Sequence, residues 1–154
     1  MLRARNIIKG FCRTTNPPKQ KYLISLYRSE ELNIIAVFTT SQRRSGVASP
    51  KHGRIIKDGV IVSYVFDAHK VIGKKYNSNE DFSFPLQTTI PFDYCFKAGT
   101  QDDILKIFSE PHVVGVLSED EYIDIVYNFY KSTRTPRKYI PIFEDILEKH
   151  FNGR

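Results

Sequence analysis

Residues 21–40 read KYLISLYRSEELNIIAVFTT, and this stretch decides the fold. Lys21 to Tyr27 is short and rich in β-formers, so it reads as a strand. Ser29-Glu30-Glu31 is a polar break, and Leu32 to Thr40 is a second strand. So short a gap implies an antiparallel hairpin. The second strand is almost continuously apolar from Ile34 to Phe38, which predicts burial on both sides rather than a half-wet edge.

Downstream, residues 42–58 read as a basic loop punctuated by Gly46, Pro50 and Gly53. Gly59 to Phe66, GVIVSYVF, is a third strand, which Lys70 to Gly73 is expected to continue. Phe82 to Ile90, FSFPLQTTI, is extended again, with Pro85 tolerable at an edge or bulge. After Gly99 the hydrophobic period changes. Thr100 caps a short helix with Ile104, Leu105, Ile107 and Phe108 on its apolar side. Val113 to Leu117 is one more short strand. Ser118-Glu119-Asp120-Glu121 is a capping box whose acids load the positive end of a helix dipole. Tyr122, Ile125, Val126, Phe129 and Tyr130 then follow on one helical face. The break STRTP ends that helix, and an amphipathic helix at 140–151 closes the chain. Hairpin-joined strands followed by segregated helices argue an α+β fold with a small β-barrel and C-terminal helices.

A chain of 154 residues with 41% hydrophobic residues is the size of one domain, 1–154, with an ordinary core. Cys12 and Cys95 are its only cysteines. A disulfide is open on arithmetic, but two thiols in a domain this large are more often buried small hydrophobes. No apolar run approaches the roughly 18 residues that span a bilayer, and no apolar signal core follows Arg3, Arg5 and Lys9. A cytoplasmic protein with no membrane partner is expected. The formal charge of +6 and pI near 9.3 suit a polyanion or an acidic protein, or serve solubility alone. Bases concentrate between Arg43 and Lys57, acids between Glu119 and Asp124.

His52, His69, His112 and His150 are scattered, and no zinc, nucleotide-cradle or nucleophile-elbow motif is present. No metal or cofactor is therefore expected. The notable element is the end of the second strand, Phe38-Thr39-Thr40-Ser41, running into Gln42-Arg43-Arg44. Hydroxyls beside cations bind a phosphodiester, the hydroxyl donating to a non-bridging oxygen and the cation offsetting charge. The plainer alternative is that these hydroxyls satisfy backbone groups at a turn.

The order of segments resembles the MazF/PemK family of bacterial ribonuclease toxins. KYLISLY is similar to that family's first strand, AVFTTS to the strand ending in a Thr-Ser element, and FPLQTTI to a strand bearing Gln. GVLSEDEYIDIV, from Gly115 to Val126, is similar to the opening of its C-terminal helix. The likeness covers roughly residues 6 to 131. It implies an SH3-like barrel and the toxin of a type II toxin–antitoxin system, an endoribonuclease cutting single-stranded RNA without metal. It also implies a homodimer and an acidic antitoxin protein as partner. On this resemblance Lys21, Thr40 and Ser41 are catalytic, and Lys19, Arg28, Arg43, Arg44, Lys51, Arg54, Lys57 and Gln87 contact RNA. One departure is plain: Lys21 stands where the family has Arg before Pro, and a lysine is a point charge that does not clamp phosphate bidentately. The glycine-rich loop usual before it is replaced by Thr14-Thr15-Asn16-Pro17-Pro18. A non-catalytic nucleic-acid- or protein-binding module of the same fold is the alternative.

Overall fold

The computed structural model describes residues 1–41 and 49–153. The hairpin expected from residues 21–40 is its spine. Strand β1 (Asn6–Cys12) pairs antiparallel with β2 (Lys19–Arg28), and β2 with β3 (Ile34–Phe38). Between β2 and β3 the Ser29 hydroxyl accepts from the Asn33 N–H and its carbonyl from the Leu32 N–H, which closes the turn.

Burial on both sides of β3 is observed, and its cause is two cores. Ile35 and Val37 point into the larger core with Ile7, Ile24, Leu26 and Phe66. Ile34 and Ala36 point the other way, with Leu2, Ile8, Leu23 and Phe108. Period-two alternation thus survives in β3, with both phases apolar because both faces are covered.

Among the described residues seven further strands and three α-helices complete the sheets and their cover. Strand β4 (Gly53–Lys57), β5 (Val60–Phe66) and β8 (Thr88–Pro91) form a three-stranded antiparallel sheet. Short β6 (Gly73–Lys75) and β7 (Asp81–Phe82), with β9 (Phe96–Gly99) and β10 (Phe108–Leu117), complete a seven-stranded sheet. Its order is β7-β6-β10-β1-β2-β3-β9. The two sheets meet at a bridge where Thr40 and Thr89 exchange both backbone hydrogen bonds at 2.8 Å. Among the described residues this pairing does not close into the expected barrel.

Helix α1 (Gln101–Leu105) is capped by Thr100, and α2 (Glu119–Lys131) by Ser118, whose hydroxyl accepts from the Glu121 N–H at 3.2 Å. The expected face of α2 is the buried one, and the Tyr122 hydroxyl donates to the Leu26 carbonyl at 2.6 Å. Ser132 and Thr135, in the break STRTP, donate to the carbonyls of Ile61 and Phe129. Helix α3 (Ile140–Asn152) packs on α2, with Phe143 stacked against Phe129 at 5.7 Å. Both cysteines are buried and free. Among the described residues no helix is long and apolar enough to cross a membrane.

Four expectations are corrected. The segment read as a loop at 42–58 ends in a strand, β4, whose Ile55 is drawn into the core while Arg54 and Lys57 stay exposed. Lys70 to Gly73 does not prolong β5; the chain turns after Phe66, and Gly73 opens β6. FSFPLQTTI is broken between β7 and β8 around Pro85, which has no N–H for a ladder. Helix α1 stops at Leu105, so Ile107 and Phe108 belong to the connection and to β10.

Candidate functional site

Strand β2 begins with Lys19-Gln20-Lys21-Tyr22, and alternation sends these side chains to opposite faces of the sheet. Lys19 and Lys21 lie on one face, opposite Cys12 and Gly10 of β1; Gln20 and Tyr22 lie on the other, with Lys9 opposite Tyr22. Two clefts flank this strand end. The first, of about 190 Å³, is bordered by Lys9, Lys19, Lys21, Tyr22, Thr40 and Ser41, with Leu86 and Thr88 from the run into β8. The second, of about 350 Å³, holds Cys12, Phe38, Tyr94, Lys97 and Ile107. Lys21, Thr39 and Thr40 border both.

The structure therefore brings Lys19, Lys21, Thr40 and Ser41 to one cleft. Lys21 is half-buried, its ammonium 5.4 Å from the centre of the Phe38 ring. Burial, and then the charge of Lys19, hold its pKa below that of an ordinary lysine. Burial pushes the Tyr22 hydroxyl the other way, above the usual phenol range. Thr40 is only 8% exposed, fastened by its backbone to Thr89, whereas Ser41 is exposed. The Thr39 hydroxyl and N–H both donate to the Tyr22 carbonyl, so that threonine satisfies a backbone group as the plainer sequence reading holds.

Close packing positions Lys21. A Cβ on Gly10, its partner on β1, would sit 2.9 Å from the Phe108 ring. With glycine there, the Phe108 side chain fills that space and tilts against Phe38 at 5.8 Å, and Phe38 carries Lys21. Lys97 approaches the same Phe38 ring at 5.7 Å. Such cation–ring contacts are worth about 0.5–1 kcal/mol at exposed sites and fix where the ammonium rests.

Other expected site residues stand apart. Arg28 is at the far end of β2, roughly 20 Å along the strand from Lys21, and borders a hollow with Glu31 and Thr100. It cannot share a phosphate with Thr40. Lys51, Arg54 and Lys57 are exposed around β4 and border neither cleft. Gln87 is half-exposed just before β8, between Leu86 and Thr88, and is not itself in a cleft wall. Arg43 and Arg44 lie outside the described residues. Lys9, Tyr22, Tyr94 and Lys97 were missed, because β1 has no turn signal before it and the Tyr94 turn reads as an ordinary loop.

A second polar cluster also escaped the sequence. His52 Nδ1 accepts from the Asp67 backbone N–H at 3.0 Å, so its proton is on Nε2, which donates to Glu121 Oε2 at 2.9 Å. The Tyr64 hydroxyl donates to the same Glu121 oxygen and stands 2.9 Å from Asp124 Oδ2. Burial alone would raise the Glu121 carboxyl. The bonds from His52 and Tyr64, with the nearby charge of Lys70, overcome it and hold the pKa below the usual range. Tyr64 is pushed far up by burial and by its two carboxylate neighbours. Asn128 Nδ2 donates to the Asp124 carbonyl at 2.8 Å, while its buried Oδ1 has no hydrogen-bond partner. Nothing in the spacing of residues 52, 64, 121 and 124 announces this meeting; only packing of α2 on the second sheet brings them together. Among the described residues no group of three or more His, Cys, Asp or Glu is set to hold a metal ion.

The cleft thus offers clustered ammonium groups, hydroxyls and exposed apolar walls, suited to an anion attached to something flat and apolar. No protein-family model, no curated protein and no solved structure matches this chain.

Proposed function

We propose that the protein binds single-stranded RNA across the Lys21 cleft and cleaves it there by attack of a ribose 2′-hydroxyl on the adjacent phosphorus. One observation carries the reading: Lys21, half-buried and lowered in pKa, stands with Lys19 beside Thr40 and Ser41 at one strand end. The lysines offset phosphate charge, and the exposed Leu86 and Tyr94 give bases an apolar surface at the cleft margins.

In the proposed step the 2′-oxygen bonds to phosphorus and the bond from phosphorus to the 5′-oxygen breaks. A 2′,3′-cyclic phosphate and a 5′-hydroxyl result. Lys21 neutralises the charge that builds on the phosphorane oxygens and gives its proton to the departing 5′-oxygen. A lowered pKa suits that donation, since an acid nearer neutrality parts with its proton more readily. Among the described residues the first cleft's other ionisable groups are Lys9, Lys19 and Tyr22, so in this proposal the 2′-hydroxyl proton passes to solvent. Ser41, the exposed hydroxyl, holds a non-bridging oxygen, and Thr40 shapes the wall behind it. The SH3-like kinship, the toxin role, the homodimer and the acidic antitoxin partner rest on the family resemblance.

Burial of Thr40 favours a second reading, a module of the same fold that binds nucleic acid without cutting it. Incubating purified protein with single-stranded RNA in EDTA separates the two. Cleavage to cyclic-phosphate ends, lost in Lys21→Ala, supports the nuclease; salt-sensitive binding without cleavage selects the module. Cleavage surviving both Lys21→Ala and Thr40→Ala removes this site from the reaction.

A further inference from the structure

The second cleft shares Lys21, Thr39 and Thr40 with the first, and the construction of its remaining walls is particular. Its floor is apolar: Cys12 is 2% exposed, and Phe38 and Ile107 pack on the smaller core. At its rim Tyr94 is 59% exposed, held on a turn by its N–H to the Pro91 carbonyl. Two ammonium groups, of Lys21 and Lys97, stand 5.4 and 5.7 Å from one ring, that of Phe38. An exposed aromatic over an apolar hollow, flanked by cations, is what a stacked base of a charged strand requires. A cavity of about 350 Å³ falls in the ordinary range of small-ligand sites. Because Lys21 borders both clefts, a strand whose phosphate rests there must send its neighbouring nucleotide one way or the other.

We infer that the second cleft receives the nucleotide adjoining the phosphate at Lys21, its base stacked on Tyr94 and its outer phosphate on Lys97. This subsite selects which nucleotide flanks the reacting phosphate, and it rests on the RNA reading above. Lys97 adds a charge without a fixed geometry, while Tyr94 adds a face that an unstacked base fits and a duplex does not.

The test is fluorescence anisotropy at low salt. It uses a labelled single-stranded RNA and an abasic strand of equal length, with wild type, Lys21→Ala, Tyr94→Ala, Tyr94→Phe and Lys97→Ala. Tyr94→Ala is expected to weaken RNA binding roughly tenfold or more, the ordinary worth of one stacked base. Tyr94→Phe keeps the affinity, and wild type holds the abasic strand as weakly as Tyr94→Ala holds RNA. Lys97→Ala lowers the log–log salt slope by about 0.7, one phosphate contact on a single strand. Equal affinity of wild type and Tyr94→Ala, with Lys21→Ala still weakened, overturns the subsite and leaves the RNA reading standing. Unchanged affinity in Lys21→Ala overturns both. Tyr94 is exposed, so its variants retain the fold.

Discussion

The Lys21 cleft and the Glu121 network are both polar groups set among strands, and they solve opposite problems. In the network His52 and Tyr64 both bond Glu121, and the His52 and Glu121 side chains are only 11% and 12% exposed. Asn128 Oδ1 is the buried side-chain polar atom left without a partner among the described residues. In the cleft, like charges gather without an acid between them, and burial and Lys19 make the charge on Lys21 harder to hold. A satisfied network fixes one geometry; an unsatisfied cluster of one sign is stabilised by an anion from outside. The comparison separates a structural device from a proposed binding site, and it can be broken by experiment.

The largest expected effect is at the cleft. Lys21→Ala should reduce RNA cleavage by about 10²–10³-fold, the usual loss of one transition-state charge partner. Stability should hold or rise slightly, since a lysine whose pKa is lowered on folding costs free energy while charged. Initial-rate assays beside thermal melts check both halves. A melting temperature that falls with activity would make Lys21 a structural residue and erase the contrast.

Glu121→Ala should show the reverse. It strands the His52 Nε2–H and the Tyr64 hydroxyl in a protected site, at an expected loss of about 3 kcal/mol of stability. Urea titration should move the midpoint without changing RNA affinity measured on the folded protein. Affinity lost in step with stability would show that the network reaches the cleft.

How each region could be read from sequence follows the same division. The hairpin of β2 and β3, the caps at Thr100 and Ser118 and the face of α2 are local patterns, written within a few residues of one another. Lys21 and Thr40 were found because they end two strands of one hairpin, close in sequence and paired in register near Leu23 and Phe38. His52 and Glu121 are 69 residues apart, and no periodicity links them. Arg28 was misplaced for a related reason: nearness in sequence becomes distance along an extended strand. The barrel also failed on a long-range question, whether two sheets that touch at Thr40 and Thr89 go on to close.

A medium effect joins the two regions. Gly10→Ala puts a methyl group 2.9 Å from the Phe108 ring, which must shift against Phe38 and with it the seat of Lys21. A loss of about 1–3 kcal/mol is expected from overpacking. RNA affinity should fall as well, which a core substitution far from the cleft would not cause. A stability loss with affinity intact would show that Lys21 does not depend on the Phe38 ring for its place.

Titration gives the finest contrast. Glu121 is held low in the folded protein, so its contribution is full above the ordinary carboxylate pKa, about 4.3, and is lost as pH falls through its lowered value. Tyr64 is raised and Tyr122 is pushed up to about 12, so their contributions are full below about 10 and are lost as pH rises beyond it. Lys21 runs against the tyrosines: folding gains as it deprotonates, on the way up to the ordinary lysine value near 10.4, while the proposed RNA binding is expected to decline over that interval. Melts of wild type and Glu121→Gln from pH 7 to 3 should diverge below about pH 4.5, with wild type losing more, because glutamine does not titrate. RNA binding of Lys21→Arg should keep its strength at alkaline pH where wild type weakens, since the guanidinium stays charged. Parallel acid profiles would show that Glu121 carries no charge that matters to folding. A shared alkaline decline would move the functional cation away from Lys21, to Lys9 or Lys19 on the same wall.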